Sequence, residues 1–232
     1  TVHCENHGVI TQLRKEFVEE GKCEAKYHPL SRPARCEAEA VNRMIHLAAM
    51  AGDAPLYIVH LSSAEGLHEV LKARAEHRPN LGVETCIQYL VLTDKEYEDP
   101  QEGLKAIMSP PLRKDQDREE LWKALADGTI DTVATDHCPF HYKAGKAEKQ
   151  YGKDDFTKCP NGAPGVQERL MLLFSEGYGK GRISLPQVVK YSSSNPCRMF
   201  GMYPQKGSLE PGTDADIVII DPEKKTLIDK EY

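Results

Sequence analysis

Short apolar runs alternate along the chain with longer segments whose apolar residues recur every three or four positions. The clearest run, residues 56–60 (LYIVH), is continuous and contains β-branched side chains, which predicts a strand that is buried on both faces. The predicted strands are residues 56–60, 81–86 and 130–135, with residues 1–4 as the end of an earlier strand. The helically spaced segments are residues 9–20, 33–51, 64–76, 116–126, 165–176, 184–191 and 195–200. Strands that alternate with helices predict a parallel sheet built from βα units.

Four βα units fit two architectures. They form either a small open sheet or about half of a (β/α)8 barrel, whose usual length is about 250 residues. The count favours half a barrel over residues 1–204, followed by a short tail, residues 205–232. Within the tail, residues 215–220 (ADIVII) are predicted to be a strand in a different setting. The polar segment 137–163 is predicted to be a long functional or mobile loop.

Composition and charge exclude several classes of protein. The chain is 40% hydrophobic and 28% charged, as is ordinary for a soluble globular protein. Its net charge of −6 argues against a nucleic-acid partner, which needs a concentrated basic surface. No apolar run approaches the roughly 18 residues of a membrane span, and the first residues, TVHCENHG, do not resemble a signal peptide. Because the chain starts without Met at a strand end, we expect a piece of a longer polypeptide.

The cysteines predict a reducing compartment. There are seven, an odd number, with irregular spacing and no CxxC pair. A disulfide framework or a thiolate zinc knuckle would need closer, paired spacing. We therefore expect reduced thiols in a cytoplasmic protein.

Three predicted strands end in residues that commonly bind metal ions: His3, His60 and Asp136. In a parallel barrel the carboxyl ends of the strands converge on one mouth, so these residues would meet there. Two neutral imidazoles and a carboxylate suit zinc or a similar divalent ion. A structural histidine or a turn-forming aspartate would explain each residue alone. Their shared position favours a metal site, with His137 and His141 as candidates for supporting contacts.

Two loop motifs are suited to binding a ligand through backbone groups. Ser109 lies in MSPPLR, where two prolines restrict the chain, and Asn161 lies in PNGAPG, where glycines permit close approach. A rigid turn without a ligand explains either motif equally well.

Taken together, the motifs resemble the dihydropyrimidinase/hydantoinase branch of the amidohydrolase superfamily. The segments that carry the resemblance, in chain order, are HCEN, HPLSRPARCEAEAVNR, YIVHLSS, MSPPLR, TVATDHCPF, PNGAPG and GSLEPGTDADIVIIDP. They extend over nearly the whole chain. The resemblance implies a TIM-type (β/α)8 barrel, of which about the second half is present, and the start of a small β-sandwich domain from residue 205.

The resemblance also implies an activity and roles for single residues. It implies hydrolysis of the cyclic amide of a dihydropyrimidine or hydantoin at two divalent metal ions, usually zinc. His3 and His60 would bind one ion, and Asp136 would bind the other and shuttle the proton. Ser109 and Asn161 would hold the ring through their backbone groups. The intact protein would be a homo-oligomer, either a dimer or a tetramer.

The chain departs from the family pattern, and two alternatives stay open. It contains no HxH pair, and the strand that would carry the bridging carboxylated lysine is absent, so the chain alone is expected to be inactive. One alternative is a cyclic amidase of the allantoinase or dihydroorotase type. The other is a non-enzymatic, dihydropyrimidinase-like assembly protein without metal. The retention of His3, His60 and Asp136 argues against the second, and the two loop motifs argue against the first.

Overall fold

The described structure, a computed structural model, comprises residues 1–100, 102–142 and 147–229. At the centre of these described residues lies a parallel sheet of three strands, β1 (Leu56–Ile58), β2 (Leu81–Cys86) and β3 (Thr132–Ala134), in that order. Val2 adds one parallel bridge to Ile58 at the outer side of β1. The four predicted strand positions are thus confirmed, although the first is a single bridge.

Helices separate the strands, as the βα pattern predicts. Those of the first two thirds are α1 (His7–Glu19), α2 (Tyr27–Leu30), α3 (Ala34–Met50), α4 (Ala64–Ala75), α5 (Ile87–Val91) and α6 (Asp115–Asp127). The longer four begin and end within two residues of their predicted bounds. Ser63 begins α4 by accepting a hydrogen bond from the Gly66 N–H at 3.0 Å, and Gly128 ends α6 in the left-handed conformation. Apolar spacing and capping residues therefore predict these helices well.

One apolar layer lies between the sheet and helices α3, α4 and α6. Its fully buried side chains include Val41, Ile58, Val70, Val83, Leu121 and Val133. Burial of each such side chain contributes about 1.5–3 kcal/mol. On α3, Val41 and Ile45 face this layer, whereas Leu47 is exposed.

The last helices are less regular than predicted. Helix α7 (Arg169–Leu172) continues into a π-helical turn at Leu173–Tyr178. Helix α8 (Leu185–Val189) passes through a second π-helical turn, Lys190–Ser194, into α9 (Asn195–Met199). Pro196 lacks the N–H that an unbroken α-helix would use at this point, and a wider turn fits the interrupted ladder. Two helices predicted as separate thus form one continuous segment.

Some elements have no counterpart in the sequence prediction. Helix α5 follows β2 directly, and short 3₁₀ helices occupy Asp94–Glu98, Gly103–Ala106, Glu148–Gly152 and Phe156–Lys158. The last two lie within the segment 137–163, which is therefore not a featureless loop. Residues 143–146 of that segment lie outside the described residues.

The predicted strand at residues 215–220 is wrong. These residues pair with no strand among the described residues, and Ile219 is 93% exposed. A strand forms only when a neighbour satisfies its N–H and C=O groups, and the described chain offers this segment none. An apolar, β-branched run is thus insufficient without a sheet edge. Residues 230–232 of the predicted tail lie outside the described residues.

Two global features complete the description. All seven cysteines are free thiols, as predicted. Within the described ranges no helix combines the length and the apolar character that crossing a membrane requires.

Candidate metal centre and substrate loops

His3 and His60 meet at the carboxyl end of the sheet. His3 follows the Val2 bridge, and His60 follows β1. The Nδ1 atom of His3 lies 3.0 Å from the Nε2 atom of His60, and the ring planes cross at 71°. This separation is close to the roughly 3.3 Å expected between two nitrogen ligands of one tetrahedral zinc ion. The structure therefore brings two of the three predicted ligands together.

Glu5 holds the other side of the His3 ring. Its Oε2 atom lies 3.0 Å from His3 Nε2, and the same carboxylate pairs with Arg32. Burial raises the pKa of Glu5, but the hydrogen bond from His3 and the charge of Arg32 outweigh it, so that the pKa lies below its usual value. With the Nε2 proton donated to Glu5, the Nδ1 lone pair of His3 remains available on the His60 side.

His60 is nearly buried, with 6% of its surface exposed. Burial, followed by the nearby charge of His3, lowers the pKa of His60 to about 4. The ring is therefore neutral at pH 7, and neutral imidazole is the form that binds metal ions.

Asp136 lies at the third strand end, just beyond β3, and is exposed. Its charge acts on His60, whose pKa it raises in opposition to burial. Both residues have a left-handed backbone, with φ of +43° at His60 and +47° at Asp136. Side chains other than glycine adopt this conformation at a cost of about 1–2 kcal/mol. The same unfavourable turn thus follows two different strands at candidate ligand positions.

These donors are suited to only part of a metal site. Among the described residues, no three His, Cys, Asp or Glu side chains gather closely enough to hold an ion. Two facing imidazole nitrogens and a carboxylate within electrostatic range nevertheless match the ligands that zinc and similar ions prefer. The residues fit a divalent ion, and a closed coordination sphere requires donors beyond those described.

Ser109 and Asn161 lie on neighbouring loops and contact each other. The Ser109 Oγ donates to Asn161 Oδ1 at 2.6 Å, and Asn161 Nδ2 donates to the Cys159 carbonyl at 3.1 Å. The Gly162 N–H donates to the Ile107 carbonyl at 3.0 Å. The two predicted substrate-binding residues therefore belong to one continuous surface.

The PNGAPG loop is also joined to the strand end that carries Asp136. The Cys138 N–H donates to the Ala163 carbonyl at 3.0 Å, and His137 Nδ1 accepts from the Gly165 N–H at 3.2 Å. His137 thus restrains the loop next to Asp136. His141 instead lies 3.1 Å from the Glu148 carboxylate, on the exposed side of the segment.

Gly162 permits this close approach. Its φ is +150°, and a Cβ atom there would lie 2.6 Å from Cys138 Cβ and 2.7 Å from the Cys138 carbonyl oxygen. No side chain fits at that distance, so the loop can contact the Cys138 backbone only through glycine.

A buried acidic residue that none of the sequence motifs indicates supports the segment after His60. Glu37 accepts hydrogen bonds from the N–H and Oγ of Ser62, both at 2.9 Å, and from Ser63 Oγ. Arg113 reaches the same Ser62 Oγ at 3.1 Å. Burial raises the pKa of Glu37. Its signal in the sequence is its place four residues before Val41, on the apolar face of α3.

The sequence of the chain also matches a known protein family. The model of the amidohydrolase family matches residues 11–231. The chain belongs to the amidohydrolase family. Its three-stranded sheet is consistent with half of the TIM barrel found in its hydantoinase relatives. Hydantoinases of this family are metal-dependent.

The relatives of this amidohydrolase chain are hydantoinases and dihydropyrimidinases. It is 51% identical to D-phenylhydantoinase of Escherichia coli O1:K1, an alignment that covers 100% of the chain and 49% of the relative. A solved structure of D-hydantoinase superposes with a TM-score of 0.95 at 45% identity, covering 99% of the chain and 49% of that protein. Dihydropyrimidinase from Brevibacillus agri gives 0.89 at 45% identity, with 92% and 46% covered. The chain spans about half the length of the relatives it matches.

Proposed function

We propose that the polypeptide containing this chain hydrolyses the ring amide of a dihydropyrimidine or hydantoin, releasing an N-carbamoyl amino acid. The observation that carries the proposal is the meeting of His3 and His60, 3.0 Å apart, at the carboxyl end of a parallel sheet. Active sites of barrel enzymes lie at this end. The 51% identity to a D-phenylhydantoinase over the whole chain supports the same substrate class.

His3 and His60 would hold one divalent ion, and Asp136 would bind a second, with zinc as the metal that best suits this donor set. When bound, the ions would acidify a water molecule and polarise the ring carbonyl. Glu5 keeps the His3 ring oriented through its Nε2 atom, 3.0 Å away. The buried surroundings of His60 keep its ring neutral and ready to bind.

Asp136 would move the proton. Its exposed carboxylate can accept a proton from the attacking water and then deliver it to the departing ring nitrogen, as a general base followed by a general acid. The backbone groups of Ser109 and Asn161 would orient the ring for attack. The hydrogen bonds between the PNGAPG loop and the residues after Asp136 would hold the ring-binding groups in a fixed position relative to the Asp136 carboxylate.

The proposal includes the arrangement of the whole protein. Residues 1–204 would form the second half of the barrel, and residues 205–232 would lead the chain into a small β-sandwich. The exposed apolar side chains of residues 217–220 support this, because a sheet edge supplied by the rest of the polypeptide would cover them. The assembled enzyme would be a homodimer or homotetramer.

The test is a kinetic comparison on the full-length protein. Dihydrouracil and hydantoin should be hydrolysed faster than allantoin and dihydroorotate, with two ions bound per chain by elemental analysis. Metal-loaded protein that turns over none of the four would refute the proposal, and a preference for allantoin or dihydroorotate would reassign the substrate. The 232-residue chain alone should bind fewer than two ions and show no turnover.

A further inference from the structure

A buried histidine lies beneath the loop that carries Ser109. His28 is 3% exposed, and its Nε2 atom lies 2.7 Å from the carbonyl oxygen of Met108. A carbonyl can only accept, so the ring must donate its Nε2 proton. The ring packs against Tyr97 and Phe156, and burial lowers its pKa to about 3, which keeps it neutral. The Met108 carbonyl and the Ser109 N–H belong to the same peptide unit.

A buried lysine has the same relation to the loop of Asn161. Lys149 is 3% exposed, and its Nζ atom donates to the Pro160 carbonyl at 2.9 Å and to the Ile107 carbonyl at 2.6 Å. The Pro160 carbonyl and the Asn161 N–H again share one peptide unit. The contact with Ile107 joins this loop to the one that carries Ser109.

The N–H groups of Ser109 and Asn161 lie at the far side of these two peptide units. Within residues 1–100, 102–142 and 147–229, neither the Ser109 N–H nor the Asn161 N–H donates a hydrogen bond. A hydrogen bond accepted by a carbonyl polarises the peptide and strengthens its N–H as a donor, by about 10–30% per bond. Each buried donor therefore improves a free N–H on the substrate side.

We propose that His28 and Lys149 are positioning residues that fix and polarise the two peptide units presenting the Ser109 and Asn161 N–H groups to the ring carbonyls of the substrate. The inference rests on the proposed function for the identity of the ligand. It adds to that function a reason why the two loops are rigid and why their N–H groups are strong hydrogen-bond donors. A buried lysine and a buried histidine are unfavourable unless they are hydrogen-bonded, and packing alone would be served by apolar residues.

The kinetic test separates positioning from general stability. In the full-length protein, Lys149→Met and His28→Phe should each raise KM for the cyclic amide about tenfold, since each weakens one binding hydrogen bond. The kcat value should stay within about twofold, because the weakened contact serves ground state and transition state alike. His28→Gln, whose amide can donate at the same place, should restore KM, and the exposed Lys153→Met is the matched control.

A second readout does not depend on activity. Hydrogen–deuterium exchange should accelerate at residues 107–112 in His28→Phe and at residues 160–165 in Lys149→Met, but at neither in Lys153→Met. Unchanged KM together with unchanged exchange would overturn the inference, as would a fall in kcat at constant KM. If the wild-type protein hydrolyses no cyclic amide, the proposed function fails, and faster exchange would still support the restraint of the loops. Should His28→Phe not fold, the pair Lys149→Met and Lys153→Met decides the outcome.

Discussion

Gly162 offers the sharpest test of how the substrate loops are held. We expect Gly162→Ala to displace the PNGAPG loop, because the added Cβ atom would lie 2.6 Å from Cys138 Cβ and 2.7 Å from the Cys138 carbonyl oxygen. Neither atom belongs to the flexible end of a side chain. Either the loop or the segment after β3 must therefore move, and Asn161 moves with the loop.

The expected loss of stability in Gly162→Ala has two sources. The φ of +150° is a conformation that alanine rarely adopts, with a strain of about 1–3 kcal/mol. Insertion of a methyl group into a closely packed contact adds about 1–3 kcal/mol. The substitution should thus destabilise the loop by about 2–6 kcal/mol, unless the loop shifts and relieves the contact.

The assay compares thermal unfolding and kinetics of full-length variants. Gly162→Ala should lower the Tm and raise KM, because Asn161 no longer meets the ring. The control is Gly21→Ala, where φ is +72° and no atom lies within 4 Å of the new Cβ. That variant should lose only about 1 kcal/mol and keep its KM.

A double variant tests which atoms of Cys138 cause the expected loss of stability and the rise in KM. Adding Cys138→Ala to Gly162→Ala removes the sulfur atom, 3.0 Å from the new Cβ, but leaves the closer Cβ and carbonyl atoms in place. It should therefore rescue neither Tm nor KM. If Gly162→Ala behaves like Gly21→Ala in both measurements, the reasoning about this contact is refuted.

Three further predictions concern titratable residues. Asp136→Asn should lower kcat by about 10²–10⁴ without changing the circular dichroism spectrum, whereas the exposed Asp154→Asn should keep its activity. Because the pKa of His28 falls from 6.5 to about 3 on folding, its contribution to stability is complete above pH 6.5 and declines towards pH 3. Urea titrations at several pH values should show that the free energy of unfolding declines by up to about 1.4 kcal/mol per pH unit in the wild type, and that His28→Gln lacks this contribution. Equal dependence of the free energy of unfolding on pH in the two proteins would contradict this prediction. Glu5, whose pKa lies below 4.5, stabilises the fold above pH 4.5 and loses this effect as pH falls through its folded pKa. Glu5→Gln should bind zinc about 10–100-fold more weakly by competition titration, and unchanged affinity would show that His3 needs no such support.

The sequence predicts the parts of the fold that depend on local pattern. Strand β1 lies in a continuous apolar run, β2 and β3 are short segments rich in β-branched residues, and the four longer helices of the first two thirds have regular apolar spacing and clear ends. Residues 215–220 have a strand's composition but no neighbouring strand in the part of the chain that the structure describes, which no local pattern can reveal. The π-helical turn at Lys190–Ser194 joins α8 to α9 just before Pro196, and apolar spacing alone does not predict such an irregular turn.

The candidate site is likewise predictable from the sequence only in part. His3, His60 and Asp136 were predicted because each ends a recognisable strand, and the structure places the first two in contact. His28 and Lys149 were not predicted, because each joins segments that only the fold brings together. His28 binds the Met108 carbonyl 80 residues away along the chain, and Lys149 binds the carbonyls of Ile107 and Pro160, 42 and 11 residues away. Burial of a polar side chain is a property of the folded chain, and composition at that position carries little sign of it.

The left-handed backbone at His60 and Asp136 has an evolutionary consequence. Glycine or asparagine would adopt these conformations with less strain, so each residue opposes the stability of its own turn. A lineage freed from selection for the proposed hydrolysis would gain heat resistance by substituting glycine or asparagine at both sites. Sequences of decayed copies should therefore change first at these two turns, before their cores do.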